Sequence, residues 1–206
     1  MRKILIIGNG PVAARESLSL GEHDVVVRFN SPSKSSIGLY AGRTDYLFAA
    51  NSKAVLLENF ERGLLESVAI SYGPTVVLPY HPKIIKEYLP KRRHKFLKVF
   101  RRRCIDDGTL EAIKGFGERG LSIALLSIDF YDYCCSVLGI SEGEKRDKVP
   151  STGFLAINHF MNSPIYKGYQ IYICGFGWTG WHGHYWEGER EFTEKLISEG
   201  RIRFLE

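Results

Sequence analysis

The stretch Lys3-Ile4-Leu5-Ile6-Ile7, followed at once by Gly8-Asn9-Gly10-Pro11, constrains this chain more than any other feature. An apolar run of strand length with no polar alternation reads as a strand covered on both faces. The glycine turn behind it allows a tight reversal, and Pro11 to Leu20 reads as the first helix. The same rhythm returns downstream. Asp24–Arg28, Asp45–Ala49 and Thr75–Leu78 read as further strands, with an amphipathic helix around Ala54–Glu66 between the last two. Gln170–Cys174 is a strand, and Glu189–Glu199 is a helix with Phe192 and Leu196 on one face and Gly200 as its stop. Arg201–Phe204 reads as a closing edge strand. Strand–helix alternation of this kind predicts an α/β fold, a mostly parallel sheet with helices on both faces. The 206 residues, 44% of them hydrophobic, suit one domain over 1–206 with a sizeable core.

Charge narrows the partners. Lysine and arginine total 28 against 23 acidic residues, a net charge of +5 that suits a nucleotide, an acidic glycan, a membrane surface or nucleic acid. Lys91–Arg103 holds 8 Lys/Arg residues in 13. It reads either as a solvated face or as a contact for an anionic acceptor or the inner membrane face. No recognised nucleic-acid module accompanies it, so nucleic acid is not expected as a partner. The apolar run Ile4–Gly8 is too short for a signal-peptide core or a membrane span. Cys104, Cys134, Cys135 and Cys174 show no disulfide spacing. Reduced, structural thiols and a cytoplasmic location are expected.

Gly8-Asn-Gly10-Pro-Val-Ala13 satisfies a loose G-x-G-x-x-A pattern after a strand, the kind of turn that approaches phosphates at a helix N-terminus. A dinucleotide site also wants an acid ending the second strand, to hold the ribose hydroxyls. Here that strand runs into Arg28-Phe29-Asn30. Asn30 and Asn9 are amides, suited to a phosphate oxygen or a ribose, or to making turns, since asparagine tolerates left-handed backbone.

A longer pattern is carried by Ile6-Ile7-Gly8-Asn9-Gly10, Val27-Arg28-Phe29-Asn30 and Gly42-Arg43-Thr44. It resembles the large sialylmotif of the family 29 sialyltransferases in order and spacing. Pro150-Ser151-Thr152-Gly153, with Tyr172-Ile-Cys-Gly175-Phe176-Gly177 downstream, resembles the small sialylmotif. His184-Tyr185-Trp186-Glu187 resembles the third motif, and His184 with Glu189 fits the His-x4-Glu of the very short one. The resemblance covers about two-thirds of the chain. It departs where the Golgi members carry a disulfide-bonded cysteine pair, since the equivalent positions are about Ile4 and Gly168. The segment separating the last two motifs is missing, so His182, which makes His-x4-Glu with Glu187, rivals His184.

The resemblance implies a Rossmann-like catalytic domain, a sialyltransferase-like variant of the glycosyltransferase A type. It implies an inverting, metal-independent glycosyltransferase of surface-polysaccharide biosynthesis. Such an enzyme moves sialic acid, Kdo or a related nonulosonic sugar from its CMP-activated donor to a glycan or lipid-linked glycan, with no cofactor. His184 would be the base and Glu189 would orient elements of the site. Substrate contacts would fall to Asn9, Gly10, Asn30, Ser151, Thr152, Gly153, Gly175, His182 and Tyr185. Trp178, Trp181 and Trp186 could stack on sugar faces or simply pack, and Arg43 and Thr44 pin the second loop. No Asp-x-Asp pair occurs, and His182 and His184 have no further His or Cys ligand near them in sequence. Two other readings stay open: a non-catalytic nucleotide- or glycan-binding protein on the same fold, and, against Asn30, a nicotinamide-dependent enzyme.

Overall fold

The computed structural model describes residues 1–12, 18–32, 43–65, 73–89 and 106–205. Most of the expected helix Pro11–Leu20, the loop Ser31–Ser36 beyond Pro32, Gly42, Lys91–Arg103 and Cys104 lie outside the described residues.

Among the described residues seven strands form one sheet: β1 (Lys3–Ile7), β2 (Val25–Phe29), β3 (Tyr46–Phe48), β4 (Thr75–Leu78), β5 (Ile123–Leu125), β6 (Gln170–Cys174) and β7 (Ile202–Phe204). Their order is β5-β4-β3-β2-β1-β6-β7, and every neighbouring pair is parallel. The chain walks outward from β1 to β5, then returns to the other side of β1 as β6. The switch in direction therefore falls between β1 and β6, where open α/β sheets characteristically leave a crevice beyond the strand ends.

Among the described residues six α-helices accompany the sheet: α1 (Lys53–Glu61), α2 (Pro82–Glu87), α3 (Thr109–Gly117), α4 (Ile128–Val137), α5 (Thr152–Asn162) and α6 (Trp186–Ser198). Alternating strand residues divide between two layers. Ile4, Ile6, Val27, Phe29, Phe48, Val77, Ile171 and Ile173 face a core built with α2, α4, α5 and Leu196 of α6. Leu47, Ala49, Val76 and Leu78 face Leu56 of α1 and Ala112 and Phe116 of α3. Leu5, Ile7, Val26, Tyr172 and Cys174 pack with Leu18, Leu20 and Leu205. Both faces of the central strands are covered, which is why β1 carries no polar alternation.

The observed bounds differ from expectation in instructive places. Helix α6 starts at Trp186, before the expected Glu189. Gly188 sits in its first turn, where any Cβ would strike the Tyr185 ring. The helix does end by Gly200, whose φ of 70° suits glycine beyond a helix C-terminus. β5 was not legible because it is short and two of its three residues are exposed.

Arg43 pins the far end of the sheet. Its guanidinium donates to Asp45 at 3.0 Å and to the carbonyls of Gly21, Glu22 and Asp24. These groups precede β2 and β3, opposite the glycine turn, so Arg43 is structural. Ile4 and Gly168 also lie at that end, before or within the paired strands β1 and β6. Cys134, Cys135 and Cys174 are buried free thiols. Among the described residues, no helix is long and apolar enough to cross a membrane.

Candidate active site

The turn after β1 and the turn after β6 are built against each other. Gly8 N–H donates to the Cys174 carbonyl and Gly10 N–H to the Gly175 carbonyl, both at 2.8 Å. A Cβ on Gly8 would land on the Gly175 carbonyl, and one on Gly175 would come within 2.8 Å of the Gly8 oxygen. Gly175 also has a φ of 68°. Glycine is required here because two backbones touch across the switch point. Gly8→Ala is expected to cost about 1–3 kcal/mol through overpacking, measurable as a lower urea midpoint at unchanged slope.

Asn9 and Asn30 lie at the ends of β1 and β2. The exposed Asn9 donates its Nδ2 to the Phe29 carbonyl at 3.1 Å. Asn30 has a φ of 47°, a left-handed conformation that asparagine accepts more readily than most residues. Its Oδ1 accepts from Ala50 N–H at 2.8 Å, tying β2 to the loop after β3. Asn9 ties the end of β1 to β2 and Asn30 makes a left-handed turn, and each still has amide hydrogens to offer.

Ser151, Thr152 and Gly153 begin α5. Ser151 is the N-cap, and its Oγ accepts from Phe154 N–H at 3.1 Å. The N–H groups of the first helical turn lack helical partners and carry the positive end of the helix dipole. Gly153 lies under Phe176, since a Cβ there would come within 2.9 Å of that ring. Phe176 meets Phe29 edge-on at 6.2 Å and Trp178 at 5.4 Å, linking α5 to the ends of β2 and β6.

Glu189 lies beneath this turn and is fully buried. Ser151 N–H donates to its Oε1 at 2.7 Å, and Ser151 Oγ–H to its Oε2 at 2.5 Å. Burial lifts the Glu189 carboxyl to about 7, against the downward pull of the two Ser151 bonds. Both oxygens face the protein, so Glu189 holds the turn and presents no oxygen to a substrate.

His184 approaches from the other side. It forms an isolated parallel bridge with Val149, and Val149 N–H donates to the Gly183 carbonyl at 2.8 Å. The ring Nδ1 lies 2.9 Å from the Val149 carbonyl. A carbonyl only accepts, so Nδ1 carries the hydrogen and Nε2 bears the lone pair. The imidazole is held edge-on between Trp181 and Trp186, both at 4.9 Å. Burial lowers its pKa, with the Val149 bond opposing, so it is neutral at pH 7. His182 is exposed and touches Trp181 at 5.9 Å. The half-buried Tyr185 ring lies under the Lys148 ammonium at 4.6 Å.

His184, Ser151–Gly153 and Glu189 therefore form one unit through Val149 and Ser151. Gly10, Gly175, Asn9 and Asn30 form a second, joined to the first through Phe176. One participant had no signal in the sequence: the Val149 carbonyl is a backbone group. Phe176 stood in the small-motif resemblance, but its bridging of α5 and β2 was not legible there. Among the described residues no three His, Cys, Asp or Glu side chains gather as a metal site.

No family model matches the chain. A segment of 56 residues, 27% of the chain, is 34% identical to the Urease operon 23 kDa accessory protein of Rhizobium meliloti (strain 1021). The chain spans only about a quarter (26%) of that relative's length. In three dimensions the chain is similar to a mammalian sialyltransferase, with a TM-score of 0.52 and 16% identity over 98% of this chain and 68% of that one. The fold is sialyltransferase-like.

Proposed function

We propose, on a sialyltransferase-like fold, that the chain is an inverting glycosyltransferase taking a nonulosonic or Kdo-type sugar from a CMP-activated donor. The acceptor is a glycan or lipid-linked glycan. One observation carries the reading: the neutral His184 turns a bare Nε2 away from Val149, two residues before the N-cap of α5. A base is thereby set beside an anion-favouring helix start.

In this reaction the acceptor hydroxyl oxygen forms a bond to the anomeric carbon. The bond from that carbon to the CMP phosphate oxygen breaks, and the phosphate keeps the electron pair. The acceptor proton passes to His184 Nε2. The transition state has oxocarbenium character, as in other glycosyl cleavages. Charge develops on the departing phosphate, where fixed N–H donors are most effective. The first-turn amides of α5 and the asparagine amides supply such donors, so the chain's own groups do the work a metal would otherwise do. Glu189 keeps Ser151 in place and takes no proton from the acceptor.

The test is a binding panel. CMP at one hundred times its dissociation constant should stabilise the fold by about 2.7 kcal/mol, a melting shift of about 5–10 °C at this size. NAD should give none. A shift with NAD and not with CMP would sink the reading. Binding of CMP-sugars without CMP release would leave a nucleotide-binding protein and remove the enzyme.

A further inference from the structure

We infer that Tyr80 is a positioning residue for the Pro150–Gly153 turn, setting nucleotide affinity through that turn without touching the nucleotide; the inference rests on the donor-site reading above. Tyr80 follows β4 and is 5% exposed. Its hydroxyl donates to the Pro150 carbonyl at 2.9 Å. The phenol also lies against the Thr152 hydroxyl.

The root of the phenol is anchored as firmly as its tip. The buried Asn51 donates from Nδ2 to the Tyr80 carbonyl at 2.6 Å, and its Oδ1 accepts from Tyr80 N–H at 3.2 Å. Asn51 Nδ2 also donates to Thr109 Oγ1 at 2.8 Å. A buried polar chain therefore runs from α3 through Asn51 and Tyr80 to Pro150 and Thr152. Independently, Glu189 of α6 holds Ser151. Three consecutive residues of the turn are gripped from two independent elements. Buried, fully satisfied polar networks of this kind fix a single geometry. The amide donors of a phosphate-binding turn are useful only in a narrow geometry, since hydrogen bonds weaken steeply with misalignment.

The neighbouring Tyr131 separates positioning from packing. Its ring lies 6.4 Å from that of Tyr80, it is 1% exposed, and its hydroxyl lies against the Cys135 thiol of its own helix, with no hydrogen bond to the turn among the described residues. Tyr80→Phe and Tyr131→Phe remove the same atom from the same cluster, and only the first unties the turn.

CMP titration and hydrogen exchange on the wild type and both variants form the test. Tyr80→Phe should weaken CMP binding about fivefold, the loss of one net hydrogen bond. It should also speed exchange at the Ser151 and Phe154 amides. Tyr131→Phe should leave both unchanged. Equal affinity and exchange in Tyr80→Phe and wild type would overturn the inference, as would equal losses in both variants. If the wild type binds no CMP, the donor reading fails and takes the affinity effect with it. The exchange measurement then decides separately whether Tyr80 holds the turn.

Discussion

His184→Ala is expected to lower the rate of CMP release from a CMP-sugar by about 10²–10⁴-fold, the usual contribution of a positioned general base. The loss should appear in kcat, with KM for the donor little changed, because the imidazole acts on the acceptor proton. His182→Ala should stay within a few-fold of wild type, since His182 is exposed and its ring stands tilted 5.9 Å from that of Trp181. The pH profile gives a second reading. Burial lowers the His184 pKa, so its neutral form persists below the ordinary histidine range. The acidic limb of kcat should therefore fall below pH 6.5 and should vanish in His184→Ala. CMP release that persists at full rate in that variant would remove His184 as the base.

The second large effect concerns stability. Glu189 has a carboxyl at about 7 in the folded chain against 4.5 for the free side chain. Between those values the folded state holds a proton that the unfolded state has lost, so raising the pH drains stability. The contribution is fully present below pH 4.5 and is lost as pH rises through 7. Over pH 5 to 8 the wild type should lose about 3 kcal/mol of unfolding free energy from this group. Glu189→Gln cannot titrate and should flatten that slope while keeping one acceptor for Ser151. Urea unfolding of both proteins at several pH values measures it. Parallel slopes would show that the buried carboxyl is not the source. Because Ser151 caps α5, the same change should loosen the turn that Tyr80 also holds.

The amino-acid sequence by itself determined the layered sheet and the identity of the candidate residues. The unbroken apolar character of Ile4–Ile7 required a strand covered on both faces. The glycines at 8 and 10 marked a tight turn; that they and Gly175 are needed because two backbones touch came only from the structure. The motif order placed Asn9, Asn30, Ser151, His184 and Glu189 together through resemblance rather than through any local signal. What sequence could not reveal lies in pairs distant along the chain. Val149 and His184 stand 35 residues apart, Ser151 and Glu189 stand 38 apart, and Tyr80 and Pro150 stand 70 apart.

Those pairings fix the partners and protonation of the candidate residues. Only the tertiary structure assigns the proton of His184 to Nδ1, because the acceptor is a backbone carbonyl that no residue type announces. Only burial converts Glu189 from an acid in the first turn of a helix into a carboxyl near neutrality that grips Ser151. A sequence specifies which groups are available; the folded chain, by removing water and fixing partners, sets which of them can ionise and where their lone pairs point.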